Sequence, residues 1–165
     1  MNAKKLRAHP IPHLLGLRTL KTVLAVFLSA AFMQYVMGET PFFACIGAVV
    51  AMESSLQRSL HAAAVRNIGT ITGGLIGIAV ASFTDSLLLT SLGLIPVIIT
   101  DTLLGRRECV VPGAIVYFAV AYLNTMDQAW IYGLRRILGT LIGTLIAIAI
   151  NALLFPPKPA PKAEL

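Results

Sequence analysis

The 165-residue chain is 57% hydrophobic and 12% charged, and its mean hydropathy is +0.83. Soluble domains carry roughly 25% charged residues, so this chain has too little polar surface for water and is predicted to be an integral membrane protein. The formal charge of +6 comes from lysines and arginines that flank apolar runs. That placement is typical of loops facing lipid headgroups, so we exclude nucleic acid as a partner.

Six apolar segments follow a basic, proline-interrupted stretch at residues 1–17, which we expect to be a cytoplasmic lead-in. They predict an all-α integral membrane fold of about six transmembrane helices, with the membrane domain at 18–157 and a short cytoplasmic tail at 158–165. The segments lie at 22–38, 41–58, 67–83, 86–100, 109–124 and 137–157, and the second must pass Glu53 in order to span. Pro96 and Pro112 are expected to break or kink their helices.

The basic residues predict an N-terminus on the cytoplasmic side of the membrane. Those that precede the first segment are Lys4, Lys5, Arg7, Arg18 and Lys21. Six crossings then place the turns near Glu39, Asp85 and Asp127 outside. Arg135 and Arg136 break the rule, because they would face outward.

A repeat accounts for this exception. The stretch "RNIGTITGGLIGIA" at 66–79 matches "RILGTLIGTLIAIA" at 136–149 when the chain is shifted by seventy positions, so that Arg66 falls on Arg136. One residue of slippage also brings Pro41 onto Pro112. Two copies of a three-span unit, at about 18–83 and 86–155, must insert with opposite orientation, which predicts a 3+3 inverted repeat.

Glycines recur at helical spacing in both copies of the repeated stretch. Small residues four positions apart make a flat stripe that another helix backbone can approach closely, so we predict a packing role. The stripes could cross each other at the centre of the protein, or one could form a dimer seam. Their members are Gly69, Gly73, Gly77, Gly139 and Gly143.

Arg66 and Arg136 are candidate anion-binding residues. The apolar segments predict that each arginine stands at a helix N-terminus, where free backbone N–H groups and the guanidinium could hold an anion between them. The alternative is that each arginine extends to a lipid phosphate. The sequence leaves both interpretations open.

Glu53 is the carboxylate that the sequence places closest to a span. Burial there would favour a proton-carrying role, and the alternative is an ion pair with Arg58 or Arg66. Asp101, which follows an apolar run, is interpreted as a solvated loop residue.

No metal-ligand spacing links Cys45 to Cys109, and both are expected to be reduced packing residues. We find no catalytic triad, paired catalytic carboxylates, phosphate-binding loop or HExxH motif, so neither an enzyme nor a cofactor or metal is predicted.

Three strings carry a family resemblance: "GLRTLKTVLAVFLSAAF" at 16–32, "PFFACIGAVVAMESSLQRSLHAAAVRNIGTITGGLIG" at 41–77 and "LRRILGTLIGTLIAIAINALLFPP" at 134–157. Together they resemble the aromatic acid exporter family of the FUSC-like (fusaric acid resistance) superfamily. The resemblance implies a multi-pass protein of the bacterial inner membrane that exports aromatic carboxylates or related organic anions, with protons as a candidate driving ion.

Plant malate channels are similar at a greater distance, and they pair as dimers around an anion path lined by basic residues. By this resemblance a homodimer or higher homo-oligomer is implied. The substrate-binding residues would be Arg66, Arg136, Arg18 and Lys21, with Glu53 as the candidate proton carrier.

The sequence therefore predicts an organic anion transporter, with the substrate near the midplane between the repeats or at a dimer interface. Two alternatives stay open: a passive anion channel, and a non-transporting scaffold or accessory subunit. A scaffold would place Arg66 and Arg136 in lipid and have a dry interior.

Overall fold

The computed structural model describes residues 16–123 and 128–154, and every regular element within these two ranges is helical. Residues 1–15 of the lead-in, the turn near Asp127 and the C-terminal tail lie outside the described residues. The helices are α1 (Leu17–Ala31), continued by a π-helical turn (Phe32–Val36), α2 (Phe42–Ala51), α3 (Leu56–Phe83), α4 (Leu87–Leu92), α5 (Leu94–Leu103), a 3-10 turn (Arg107–Cys109), α6 (Val110–Leu123) and α7 (Ala129–Leu153).

Three stretches are long and apolar enough to cross a membrane: Leu17–Val36, Leu56–Phe83 and Ala129–Leu153. Shorter apolar helices occupy Phe42–Ala51 and Leu87–Leu103. All six predicted segments fall on helices, which confirms the all-helical membrane fold. The number of crossings stays a prediction.

The helix boundaries correct the sequence prediction at several places. Helices α3 and α7 begin well before residues 67 and 137, because polar residues ended the apolar segments without ending the helices. The second segment is not one helix to residue 58, since α2 ends at Ala51. The chain restarts at Ser55, whose hydroxyl caps α3 by accepting from the Arg58 N–H at 3.2 Å.

The fourth segment breaks at Gly93, as predicted for Pro96, because Pro96 has no N–H to donate to the Leu92 carbonyl four residues before it. Tyr117 of α6 donates to the Thr90 carbonyl there, and a Cβ at Gly93 would overlap the Tyr117 hydroxyl. The prediction is wrong for Pro112, which is the third residue of α6, where a missing N–H leaves no bond unmade.

Helices α3 and α7 form the central pair and run antiparallel. Asn67 Nδ2 lies 3.0 Å from Thr144 Oγ1, and the Ile137 side chain packs on Gly74 one heptad along. Helix α6 packs on α3, and α2 packs on α7. Helix α1 lies against α2 and α7, and α5 lies against α6 and α3.

Small residues fill much of the interior and most large apolar side chains face outward, although Tyr117 is fully buried. Ala25, Ala48 and Thr70 are fully buried, whereas Phe83 is 86% exposed and Leu153 81% exposed. Such an apolar exterior fits lipid and not water, and it leaves helix association to close packing of small side chains.

The two glycine stripes neither cross each other nor lie free for a dimer. The α3 stripe (Gly69, Gly73 and Gly77) faces α6, and the α7 stripe (Gly139 and Gly143) faces α2. A Cβ at Gly73 would overlap the Gly113 carbonyl, and a Cβ at Gly143 would overlap the Ala44 carbonyl. The glycines of each long helix thus allow one short helix to pack closely against it.

Candidate functional site

Arg66 lies on the eleventh position of α3 and is only 7% exposed. Its Nε is buried and has no hydrogen-bond partner among the described residues. The side chain lines a cavity of about 350 Å³, together with the Glu108 and His61 side chains, whose Oε2 and Nε2 atoms are 3.3 Å apart. The remaining lining residues are apolar: Val50, Ala62, Val65, Val111, Pro112 and Ile115.

Arg136 lies on the eighth position of α7 and is 8% exposed. Its guanidinium carbon is 3.1 Å from the centroid of the Phe43 ring and 4.1 Å from that of Tyr132. Its Nε and Nη1 are buried with no hydrogen-bond partner in the described part of the chain. The side chain lines a cavity of about 250 Å³, which is also lined by Met33, Glu39, Thr40, Phe43, Tyr132, Arg135 and Gly139.

The prediction that Arg66 and Arg136 stand at helix N-termini is wrong. Free backbone N–H groups belong to the first turn of a helix, and both arginines lie beyond it. Both side chains are buried in the helix bundle, and the lipid-phosphate interpretation stays a prediction. A guanidinium buried without a counter-charge is costly, so both positions favour an anionic ligand.

The two arginines lie on either side of the α3–α7 crossing. Since Asn67 is level with Thr144 in this antiparallel pair, Arg66 is level with position 145. The nine residues from there to Arg136 correspond to about 13 Å along the helix axis. Between the arginines, Thr70 and Thr140 are fully buried, and neither Oγ1 has a partner among the described residues.

The two cavities have matching compositions. Arg66 and Arg136 are seventy positions apart, and each cavity also contains a glutamate from the segment before a short helix. These glutamates, Glu39 and Glu108, are sixty-nine positions apart. Glu39 Oε1 is 2.9 Å from Arg135 Nε. Each cavity thus combines a buried arginine with a carboxylate that contacts a more exposed basic side chain, His61 or Arg135.

Arg18 and Lys21 were predicted to bind substrate with these arginines, but they line neither cavity. Arg18 Nη2 donates to the Met52 carbonyl at 3.2 Å and lies 3.4 Å from Glu53 Oε2. Lys21 Nζ donates to Asn151 Oδ1 at 3.3 Å. These contacts join α1 to α7 and to the link between α2 and α3.

Glu53 pairs with Arg18, and not with Arg58 or Arg66 as the alternative interpretation had it. Its side chain is 36% exposed. Its backbone N–H donates to Ser59 Oγ at 3.0 Å. A half-exposed, ion-paired carboxylate is poorly placed to carry a proton through a membrane.

Asp101 is the residue that sequence reasoning missed. It was interpreted as a solvated loop residue, but it lies inside α5 and is fully buried. Its Oδ1 accepts from Thr72 Oγ1 at 2.9 Å, whereas Oδ2 has no partner in the described ranges. The available signal was its spacing: Asp101 comes four residues after the apolar Val97, which places the two residues on one face of a continued helix.

Within residues 16–123 and 128–154, no group of three or more His, Cys, Asp or Glu side chains could hold a metal ion.

The fold and the cavities together define a helical membrane protein that encloses two cationic side chains. The model of the family described as "Aromatic acid exporter family member 1" matches residues 13–154. The chain belongs to the aromatic acid exporter family, which confirms the resemblance drawn from the sequence.

Curated relatives include UPF0421 proteins of Staphylococcus. The protein from Staphylococcus epidermidis (strain ATCC 12228) is 31% identical over 149 residues, which covers 88% of this chain and 44% of the relative. The one from Staphylococcus aureus (strain USA300) is 32% identical over 156 residues, with the same two coverages. The chain therefore spans less than half the length of these relatives. No solved structure matches it.

Proposed function

We propose that this protein exports aromatic carboxylates or related organic anions across the bacterial inner membrane, with Arg66 and Arg136 meeting the carboxylate. One observation carries the proposal: each arginine is buried beside a cavity of the central helix pair and forms no ion pair with any residue that the structure describes. An ionisable residue at such depth is by default a functional one.

The Arg136 cavity has the chemistry that an aromatic acid requires. The guanidinium can bind a carboxylate through two parallel N–H bonds. The Phe43 and Tyr132 rings that hold the guanidinium also offer apolar surface to an aromatic ring. A cavity of about 250 Å³ matches a small substrate and not a large one.

Reciprocal contacts support an inverted repeat. The α3–α6 contact of Gly73 with Gly113 has a counterpart in the α7–α2 contact of Gly143 with Ala44. In these pairs Gly113 of α6 takes the place of Ala44 of α2, so corresponding residues of the two short helices are sixty-nine positions apart. The match of Pro41 with Pro112 would require a separation of seventy-one positions. The contacts therefore support the repeat but correct its register in the short helices.

In this arrangement the two cavities open toward opposite sides of the membrane, with Glu39 outside and Glu108 inside. The substrate would pass between Arg66 and Arg136 along the crossing that contains Thr70 and Thr140. Such alternating access by two inverted halves is a common plan of secondary transporters. We also propose that the protein crosses the membrane six times, has a cytoplasmic N-terminus, contacts lipid and forms a homo-oligomer.

The test uses purified protein in liposomes loaded with 4-hydroxybenzoate, with efflux followed under a pH gradient and then under voltage alone. Arg66→Gln and Arg136→Gln are expected to lower the apparent affinity for the substrate by about 10- to 100-fold, the value of a charged hydrogen bond of about 1.5–3 kcal/mol. The matched control Arg58→Gln removes an exposed arginine of α3 that lines neither cavity, and it is expected to change the affinity less than about twofold.

Efflux that needs the pH gradient and is weakened in both buried-arginine variants would support the exporter. Flux under voltage alone would support a passive channel instead. Folded protein that gives no flux under either condition would overturn transport by this chain and favour the scaffold or subunit.

A further inference from the structure

Asp101 is a buried carboxylate that neither arginine cavity uses. It is fully buried near the end of α5, where it faces α3 and α6. Oδ2 has no partner among the described residues and lies 3.1 Å from the position that a Cβ would occupy at Gly113. The glycine therefore leaves room for this carboxyl group at the helix seam.

The Thr72 hydroxyl has one hydrogen and two acceptors within reach. Asp101 Oδ1 lies 2.9 Å from Thr72 Oγ1, and the Gly69 carbonyl oxygen lies 3.1 Å from it. When Asp101 is ionised, its oxygen accepts the hydroxyl hydrogen. When Asp101 is neutral, its own O–H can donate to Thr72, which frees the Thr72 hydrogen for Gly69. The two hydrogen-bond patterns differ by one proton on Asp101.

The neighbours of Asp101 provide little compensating charge. None of the ion pairs within the described ranges includes this residue. From α3 it meets the Thr72 hydroxyl, and from α6 the Gly113 backbone. Just before the 3-10 turn, the Arg106 backbone N–H donates to the Asp101 backbone carbonyl at 2.9 Å. Taking up a proton there removes a poorly compensated buried charge.

The Asp101 site adjoins the Arg66 cavity. Gly69 follows Arg66 by less than one helical turn, and a Cβ placed on it would lie 2.8 Å from Pro112 Cγ. Pro112 also lines the Arg66 cavity. A change in the Thr72–Gly69 hydrogen bond therefore acts on the same α3–α6 seam that forms one wall of that cavity.

The other half of the molecule has no such carboxylate at the matching place. A shift of seventy positions puts Ile142 in the place of Thr72, and the shift of sixty-nine found for the short helices puts Phe32 in the place of Asp101. In the described part of the chain, two anion cavities are thus accompanied by one buried acid, as expected if a single proton site serves the whole transporter.

We propose that Asp101 is the proton-binding residue of this protein, with Thr72 as the hydroxyl that changes its hydrogen bond when the proton binds. The inference rests on the proposed transport of organic anions. The carboxylate takes a proton from water on one side of the membrane, becomes a neutral acid, and returns the proton to water on the other side.

The transport arm compares Asp101→Asn with wild type in liposomes containing 4-hydroxybenzoate. Asparagine has nearly the shape of the neutral acid, so the variant is expected to exchange internal for external substrate within about twofold of wild type, while the pH gradient no longer accelerates net efflux. Glu53→Gln, which removes a half-exposed carboxylate, is the matched control and is expected to keep the gradient dependence. Gradient-driven efflux by Asp101→Asn would overturn the proposal.

A second readout does not depend on transport. Infrared difference spectra of the wild-type protein at low and high pH should contain the carbonyl stretch of a protonated, enclosed carboxylic acid. That band should disappear in Asp101→Asn, shift in Thr72→Val and persist in Glu53→Gln. Absence of the band from wild type, or its persistence in Asp101→Asn, would refute proton binding at Asp101. A band that behaves as expected in a protein without flux would support the proton site and refute the transport proposal alone.

Discussion

At the residue scale, the environment of Arg136 suggests how one side chain can select both charge and shape. The guanidinium is held over Phe43 and beside Tyr132, at 3.1 and 4.1 Å from the ring centroids. Cation–π contacts of this kind are worth about 0.5–2 kcal/mol, depending on desolvation. They fix the direction of the guanidinium, so a carboxylate can bind without ordering a flexible arginine first.

Phe43→Leu is expected to reduce the preference for an aromatic over an aliphatic carboxylate by about 3- to 10-fold, because an aromatic contact of about 1 kcal/mol is lost while the charge stays. The measurement is competition between benzoate and hexanoate for 4-hydroxybenzoate efflux. Phe42→Leu is the control, since the Phe42 side chain is 61% exposed. An unchanged ratio in Phe43→Leu would place the substrate ring elsewhere.

Sequence reasoning reached Arg66 and Arg136 through the repeat, but it could not give their burial. The apolar segments began only after these residues, so each arginine was assigned to a helix end. The helices in fact start at Leu56 and Ala129. Asp101 was missed for a related reason: an acid at the end of an apolar run is a common loop signal, and only the space left by Gly113 makes room for its burial.

At the element scale, the two long helices, α3 and α7, each pack closely against one short helix through a stripe of glycines. The chain gains close backbone contact there, although each glycine costs a helix up to about 1 kcal/mol in propensity relative to alanine. The sequence predicted these stripes but not their partners, because spacing identifies a flat face without saying which helix lies on it.

Gly143→Ala is expected to destabilise the protein by about 1–3 kcal/mol, since the new Cβ would overlap the Ala44 carbonyl, which is backbone and cannot rotate away. Gly139→Ala, one turn earlier on the same helix, is the control. Its Cβ would lie 3.6 Å from Met33 Cε, an ordinary contact, so helix propensity should leave stability unchanged or slightly higher. Thermal unfolding in detergent measures both, and equal melting temperatures would argue against tight α2–α7 packing.

At the scale of the whole molecule, the two long helices make corresponding contacts with the short helices. The contact of Gly73 in α3 with Gly113 in α6 corresponds to the contact of Gly143 in α7 with Ala44 in α2. The sequence contained this relation only as a shared pattern of Gly, Thr and Ile, because the pairing depends on contacts between distant segments.

The central claim is that two matching anion cavities open to opposite sides of the membrane. Its most direct test is labelling of single cysteines at Glu39 and Glu108, in a Cys45→Ala and Cys109→Ala background, with a maleimide that does not cross membranes. We predict that Glu39→Cys reacts in intact cells and Glu108→Cys only in inverted vesicles, and that 4-hydroxybenzoate slows both reactions. Labelling of both positions from the same side would contradict the inverted arrangement and, with it, the account of transport between Arg66 and Arg136.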